Sequence, residues 1–420
     1  MISRWQWLLL QLSRRLWLRV TLFAVVAIVT ALLGIAAPDF LPDFVPTRIG
    51  PDAIDRILGI LASSMLAVTT FSLATMVSAY GAATNNATPR ATKLLMDDPT
   101  SQNALGTFIG SFLFSLVGII ALSTGAYGEA GRLLLFAVTL AVVALIVITI
   151  LRWIDHLSRL GRVGETIDRV EAATRRALRE RARTPYLGGR PLPDPDRWIP
   201  DAAAPVFTES FGYVQHIDVE AIQERAAAAG GEVYVLALPG AFVHPRRPLA
   251  RVLGIADEEV RRRIGAAFSV GDARSFDQDP RFGVCVLAEI ASRALSPAVN
   301  DQGTAIDVIG TGVKVLGVWA NPDEAREAPL RCPLVHVPPI RVDDLFDDFF
   351  TPIARDGAAV VEVQIRLQKA LHSLADLDPA QFAAAARRHS AMALDRAEGA
   401  MTLEADKALA REAAAASRGA

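Results

Sequence analysis

The sequence predicts a membrane α-helical protein, with four N-terminal transmembrane helices ahead of a cytoplasmic α+β domain that is mostly helical and holds a small β unit. Three observations carry this. Four stretches free of charged side chains lie within the first 151 residues, at 20–37, 57–83, 104–127 and 133–151. Each is close to the roughly 20 residues that cross a hydrocarbon core. The chain from 152 to 420 is mostly polar. Finally, Lys and Arg beside the spans are unevenly divided. Arg4, Arg14, Arg15, Arg19, Arg90, Lys93, Arg152, Arg159, Arg162 and Arg169 flank the ends on one side, against Arg48, Arg56 and Arg132 on the other. The positive-inside rule then puts both termini in the cytoplasm of a bacterial inner membrane. No Asp, Glu, Lys, Arg or His lies inside any span. Proton relays, ion-coupled transport and voltage sensing, which need such groups, are therefore not expected.

Composition narrows the classes further. A length of 420 residues allows two or three domains. A net charge of −2 gives no reason for a nucleic-acid partner. Cys285 and Cys332 stand far apart, outside any C-x-x-C spacing, and read as reduced thiols. The basic residues are almost all arginine, a bias attributed to a GC-rich genome. Ser13-Arg14-Arg15 looks like a twin-arginine export signal, but with three further spans behind it the expectation is an uncleaved, positively flanked first span.

The second span differs from the others. Ser64, Ser72 and Thr75 fall near one helical face, which fits either close helix packing or a weakly polar pore wall. Gly125, Gly128 and Gly131 make a short turn that pairs spans three and four as an antiparallel hairpin. From 152 to 183 the last helix is expected to run on as a juxtamembrane helix or stalk. Leu160, Val163, Ile167, Val170, Thr174 and Ala177 form a narrow seam on it, suited to a second copy or to the same subunit. The arginines that end it, Arg175 to Arg183 among them, read as a solvated face or a contact to anionic headgroups. Residues 184–210 hold six prolines and two glycines and read as a linker or surface belt without helix or ladder. A small α/β unit follows over 211–256, with strand, helix and strand at 211–217, 219–229 and 232–238. Its 239–252 segment has the rhythm of a biotinyl or lipoyl half-barrel, but no lysine for modification. The rest, 257–420, reads as helical, with helices at 258–264, 282–295, 303–319, 342–354, 359–375 and 379–409 and fraying beyond about 410.

One segment resembles a family. Between 267 and 309, Arg274, Gln278, Asp279, Phe282 and Gly283 precede a helix ending in Arg293-Ala294-Leu295-Ser296-Pro297, then Asn300, Asp301, Thr304 and Ala305. With four spans ahead of it, this pattern resembles the bacterial membrane-protein family called domain of unknown function 2254. Gln302 stands where that family commonly has proline. The resemblance implies architecture and no activity.

Physically the segment is a helix, a break at Pro297, and a second helix capped by Asn300 or Asp301. Two readings stay open. In one, residues 296–304 form a structural corner that pairing among Arg274, Asp279 and Arg293 holds. In the other, the helix start with Arg293, Ser296, Asn300 and Thr304 binds a small anionic ligand.

No recognisable catalytic constellation, metal-ligand spacing or cofactor motif is present, so no enzyme, metal or cofactor is expected. The six histidines are isolated in sequence, and Gly310-Thr311-Gly312 is a fragment of a dinucleotide loop without its strand. Asp343, Asp344, Asp347 and Asp348 bracket Leu345, Phe346, Phe349 and Phe350, the pattern of an amphipathic helix with a wet acidic face. Two function classes follow: a homo-oligomeric pore gated by its cytoplasmic domain, or a non-conducting scaffold or ligand sensor anchored in the lipid bilayer.

Overall fold

A computed structural model of the chain describes residues 21–22, 25–26, 28–30, 51–124, 129–320 and 330–416. Among the described residues, three helices are long and apolar enough to cross a membrane. They are α1 (Pro51–Asn86), α3 (Pro99–Ser123) and α4 (Glu129–Arg159), and a short helix α2 (Pro89–Met96) sits between the first two. This is one fewer than the four spans expected. The first expected span, the twin-arginine segment and the turn at Gly125 and Gly128 lie wholly or mostly outside the described residues. The chain divides into two compact units, which are described separately.

In the smaller unit, Met65, Met76, Leu105, Phe108, Ile146 and Trp153 form a buried seam between the helices. Ile60, Phe71, Val77, Ile120, Leu140 and Ile148 point outward and are exposed. An apolar exterior around a buried seam is what a lipid solvent selects. Ser72 is buried and accepts a hydrogen bond from the Trp153 indole at 3.0 Å. Ser64 and Thr75 donate to carbonyls of their own helix, Leu61 at 3.2 Å and Phe71 at 2.9 Å. At the end of α4, His156 Nε2 lies 3.0 Å from Asp98 and 3.1 Å from Ser101, so this histidine is not isolated in space.

The continuous stalk is not what forms. Helix α4 stops at Arg159, and Gly161 takes a left-handed φ of +83° before α5 (Val163–Arg183) begins. A Cβ at Gly161 would stand 2.9 Å from the Ala79 carbonyl, so glycine ends the helix where two backbones meet.

The larger unit, Asn85–Ala91 with Thr166–Ala420, is mixed at first and then helical. Its strands are β1 (Gly189–Pro191), β2 (Ala204–Val206), β3 (Gly212–Ile217), β4 (Glu232–Val235), β5 (Phe242–Val243), β6 (Ala250–Leu253), β7 (Phe268–Gly271) and β8 (Cys332–Val337). Helices α6 (Pro195–Trp198), α7 (Val219–Ala229) and α8 (Glu258–Gly265) interrupt them. One sheet has the order β1-β8-β4-β6-β2, the other β5-β3-β7. This corrects three expectations. There is no half-barrel; the 239–252 segment contributes one strand to each sheet. The small unit over 211–256 is incomplete without β8, more than 70 residues downstream by numbering. The 184–210 belt is not free of ladder, since it supplies both edge strands, β1 and β2. A strand edge needs only half its backbone groups paired and so tolerates Pro191 and Pro205.

Helices α9 (Pro280–Ala294), α10 (Gln302–Leu316), α11 (Val342–Asp356), α12 (Val361–Leu377), α13 (Pro379–Ala400) and α14 (Glu404–Ala416) complete the unit. The expected final helix is therefore two, broken at Met401–Leu403. Phe346, Phe349, Phe350 and Phe382 are fully buried among them. Gly312 lies under the Phe349 ring, where a Cβ would come within 2.1 Å, so the Gly310-Thr311-Gly312 fragment serves helix packing. The acidic face of α11 is partly exposed, as an amphipathic helix requires, and is also ion-paired. Arg281 holds Asp344 and Asp348 at 2.8 and 2.7 Å, and Arg388 holds Asp343 and Asp347 at 3.2 and 3.1 Å.

Helix α5 packs within this unit. Ile167, Val170, Thr174 and Ala177 are buried, and Gly283 of α9 has no side chain because Thr174 fills that space, with Oγ1 at 2.0 Å from where a Cβ would be. Of the two partners open to the seam, its own subunit occupies it.

Candidate functional site

The seam of α5 has one more position, four residues after Ala177, and an arginine occupies it. Arg181 is 3% exposed, and its Nη1 has no hydrogen-bond partner. Its Nη2 makes one long bond to the Gln278 carbonyl at 3.4 Å. Burial pulls its pKa down to about 10, with the charge of Asp279 opposing the shift. A guanidinium so placed is an uncompensated cation in a low-dielectric setting.

Around it lies a cleft of about 310 Å³. One wall is the turn from β4 to β5. Gly240 there takes φ +93° and donates to the Val214 carbonyl at 2.8 Å, and a Cβ on it would strike the Asp279 carboxylate at 2.2 Å. Only glycine allows the turn to touch that carboxylate. The opposite wall is the start of α9. Asp279 caps the helix by accepting from the Phe282 amide at 3.1 Å and holds Arg274 through two bonds, 2.7 Å from Nε and 3.0 Å from Nη2. The Arg274 guanidinium also lies 5.2 Å from the centre of the Phe282 ring. Burial lowers the Arg274 pKa, but the bonds and charge of Asp279 outweigh it and hold the guanidinium above its ordinary range. Burial likewise pushes the Asp279 carboxyl up against the pull of Arg274. A bidentate contact of this kind is that of an ionised pair. Gln278 fixes the segment by accepting from the Ile217 amide at 2.9 Å.

Of the four arginines lining the cleft, Arg274 and Arg281 are therefore committed to carboxylates, while Arg247 donates only to the Phe242 carbonyl, at 2.8 Å. Among the described residues, no carboxylate is in contact with Arg181 or Arg247, and both supply positive charge to the cleft.

The residues singled out from sequence do not form one site. Arg274 and Asp279 stand at the N-terminal end of α9, in the cleft. Arg293, Ser296, Pro297, Asn300, Asp301 and Thr304 stand at or beyond its C-terminal end. Most of the corner's polar groups are taken within it, the buried Arg293 Nε being the exception. Ser296 donates to the Arg293 carbonyl at 2.7 Å, the Asp301 amide to the Ala294 carbonyl at 2.8 Å, and Asp301 accepts from the Thr304 amide at 3.0 Å and its hydroxyl at 2.6 Å. Those bonds hold the Asp301 pKa below its ordinary value. Asn300 turns the chain at φ +51°. The expected pairing of Arg293 with Arg274 and Asp279 to hold the corner does not occur, because the length of α9 separates them. Gln302 is the first residue of α10, behind the Asp301 cap. Sequence reasoning missed Arg181, Arg247, Arg281 and Gly240 as cleft residues; the signal for Arg181 was its place on the seam.

Both cysteines are free, and burial, as the leading cause, pushes each thiol up to about 11. Among the described residues, no three His, Cys, Asp or Glu side chains cluster to hold a metal.

The family model for a predicted membrane protein, DUF2254, matches residues 13–373. The chain belongs to this family. Uncharacterized proteins of Mycobacterium tuberculosis and Mycobacterium bovis are each 26% identical to it over 284 residues, 64% of this chain and 54% of theirs. The DUF2254 chain thus spans about half the length of the curated relatives it matches. No solved structure matches it.

Proposed function

We propose that this DUF2254 protein is a membrane-anchored, non-enzymatic sensor that binds a small anion in the Arg181 cleft. The buried guanidinium carries the reading, because an anion in the cleft supplies the counter-charge that Arg181 lacks. At the corner at 296–304, the other candidate for an anion, the Thr304 amide and hydroxyl and the Ser296 hydroxyl are used locally, and only the Arg293 Nε beside it is buried without a partner. The pore alternative rests on the hydroxyls of α1, which Trp153 or their own helix engages, and on the seam of α5, which is buried within the larger unit. In this proposal the protein has four spans in a bacterial inner membrane, with both termini in the cytoplasm. The loop after α1 supports that sidedness. It belongs to the larger unit, where Thr88 donates to Glu289 at 3.0 Å and Arg90 pairs with the same carboxylate.

The test is thermal unfolding of the full chain in nanodiscs of zwitterionic lipid, with a panel of inorganic phosphate, glycerol phosphate, hexanoate and hexyl phosphate at constant ionic strength. At least one anion should raise the wild-type melting temperature, since binding only the folded state stabilises it. Arg181→Met should melt higher than wild type without anion and lose the response. A response to no anion, or one that survives Arg181→Met, refutes the sensor reading.

A further inference from the structure

The walls of the cleft say what kind of anion it takes. Its described lining contains arginines, carboxylates, glycine, prolines and aliphatic side chains, but no hydroxyl, amide or aromatic side chain. Sugar hydroxyls would find the two lining carboxylates already held by Arg274 and Arg281, and a nucleobase would find no ring on which to stack. The charge is also small. Four arginines face Asp279 and Asp344 across the lining, an excess of two before Asp348, which shares Arg281, is counted. A polyphosphate would be poorly matched. The volume of about 310 Å³ equals the liquid share of about ten waters. Leu238, Pro239, Ala241, Pro339 and Ile340 give the lining an apolar part that inorganic phosphate would leave uncovered.

We infer that the ligand is a small aliphatic organic anion, with one carboxylate or phosphate head beside Arg181 and Arg247 and an unhydroxylated chain against Leu238, Pro339 and Ile340. This rests on the anion-sensor reading and adds the identity of the body. Such a head-and-chain anion comes either from the aqueous phase or from a lipid, and the two sources are distinguishable.

The experiment compares hexyl phosphate, glycerol phosphate and inorganic phosphate by calorimetric titration into the full chain in zwitterionic nanodiscs. The head is held constant while the body changes. Hexyl phosphate should bind at least about ten-fold tighter than either of the others, since covering two methylenes is enough for that factor. Ile340→Asp should remove most of the difference while Arg181→Met removes all binding. Equal or tighter binding of glycerol phosphate or inorganic phosphate, still dependent on Arg181, would overturn the aliphatic assignment and leave the sensor reading standing. Absence of binding by all three and by hexanoate, or binding indifferent to Arg181, would overturn both. A parallel arm uses nanodiscs containing phosphatidic acid and no soluble ligand. Arg181-dependent stabilisation there supports the same chemistry with the bilayer as its source.

Discussion

The two ends of helix α9 carry the same kinds of residue and do opposite things. At its start an aspartate caps the helix while buried against arginines, 2% exposed. Beyond its end an aspartate caps the next helix in the open, with its partners inside its own turn. In sequence both look like a cap beside an arginine. What separates them is what the rest of the chain brings: α5, the β4–β5 turn and α11 converge on the first end, whereas the second resolves its own hydrogen bonds. A polar group that is locally satisfied is structural, and one whose satisfaction depends on distant elements is where a ligand can act.

Exchanging the two aspartates for asparagine sharpens this comparison most. Asp279→Asn leaves the half-buried Arg274 without its carboxylate and should cost about 3 to 5 kcal/mol, as removal of one partner from a buried pair does. Asp301→Asn keeps an equally good cap in solvent and should cost less than about 0.5 kcal/mol. Denaturant melts of the two variants give the result directly, and similar losses would erase the distinction.

The seam of α5 gives the next largest effect. Ile167→Glu with Val170→Glu buries two charges inside the subunit and should lower stability by several kcal/mol without altering the oligomeric mass of the folded protein. Light scattering and a melt on one sample decide the matter. A fall in mass with an unchanged melting temperature would return the seam to contacts between copies.

How far the sequence revealed this fold depended on the range of the forces involved. The apolar stretches that became α1, α3 and α4, and the amphipathic pattern of α11, are local properties that composition reports. The strands β1 and β2 escaped because Pro191 and Pro205 argue against a ladder, and only the sheet topology shows that they are edges. Strand β8 escaped because Pro333 interrupts it and its partners lie far away in the chain. At the site, Arg274 and Asp279 were visible five residues apart. Arg181 was seen only as one of several arginines on a solvated face, although the spacing Val170, Thr174, Ala177, Arg181 continued the buried stripe. Gly240 was recognisable as a turn, not as the residue that admits a carboxylate.

A smaller, pH-dependent difference separates the cleft from the helical layer behind α11. His389 is 2% exposed, with Phe346, Phe350, Asp347 and Arg388 about it. Burial and then the Arg388 charge hold its pKa below the ordinary 6.5, against the pull of Asp347. Its neutral form is thus the folded one. Stability is fully present above the unfolded value and falls as the pH drops below it, until the folded value is passed, because the unfolded chain binds the extra proton. The slope should not exceed about 1.4 kcal/mol per pH unit for one proton. His389→Phe should flatten it between pH 7 and 5 in urea melts, and an unchanged slope would assign the titration elsewhere.

The least expected effect is at Asn300, and its smallness is informative. Its φ of +51° is a conformation that asparagine visits more easily than most residues and glycine adopts at no cost. If the corner is only a turn, Asn300→Gly should stay within about 0.5 kcal/mol of wild type, because the strain relieved offsets the greater freedom of the unfolded chain. Asn300→Ala, which keeps the strain and loses the polar side chain, should cost about 1 kcal/mol. Neither should change Arg181-dependent anion binding, since Asn300 lies beyond the far end of α9 from the cleft. A loss of anion binding in Asn300→Gly with its stability intact would mean that the corner reaches the ligand after all, and the two ends of α9 would have to be treated as one site.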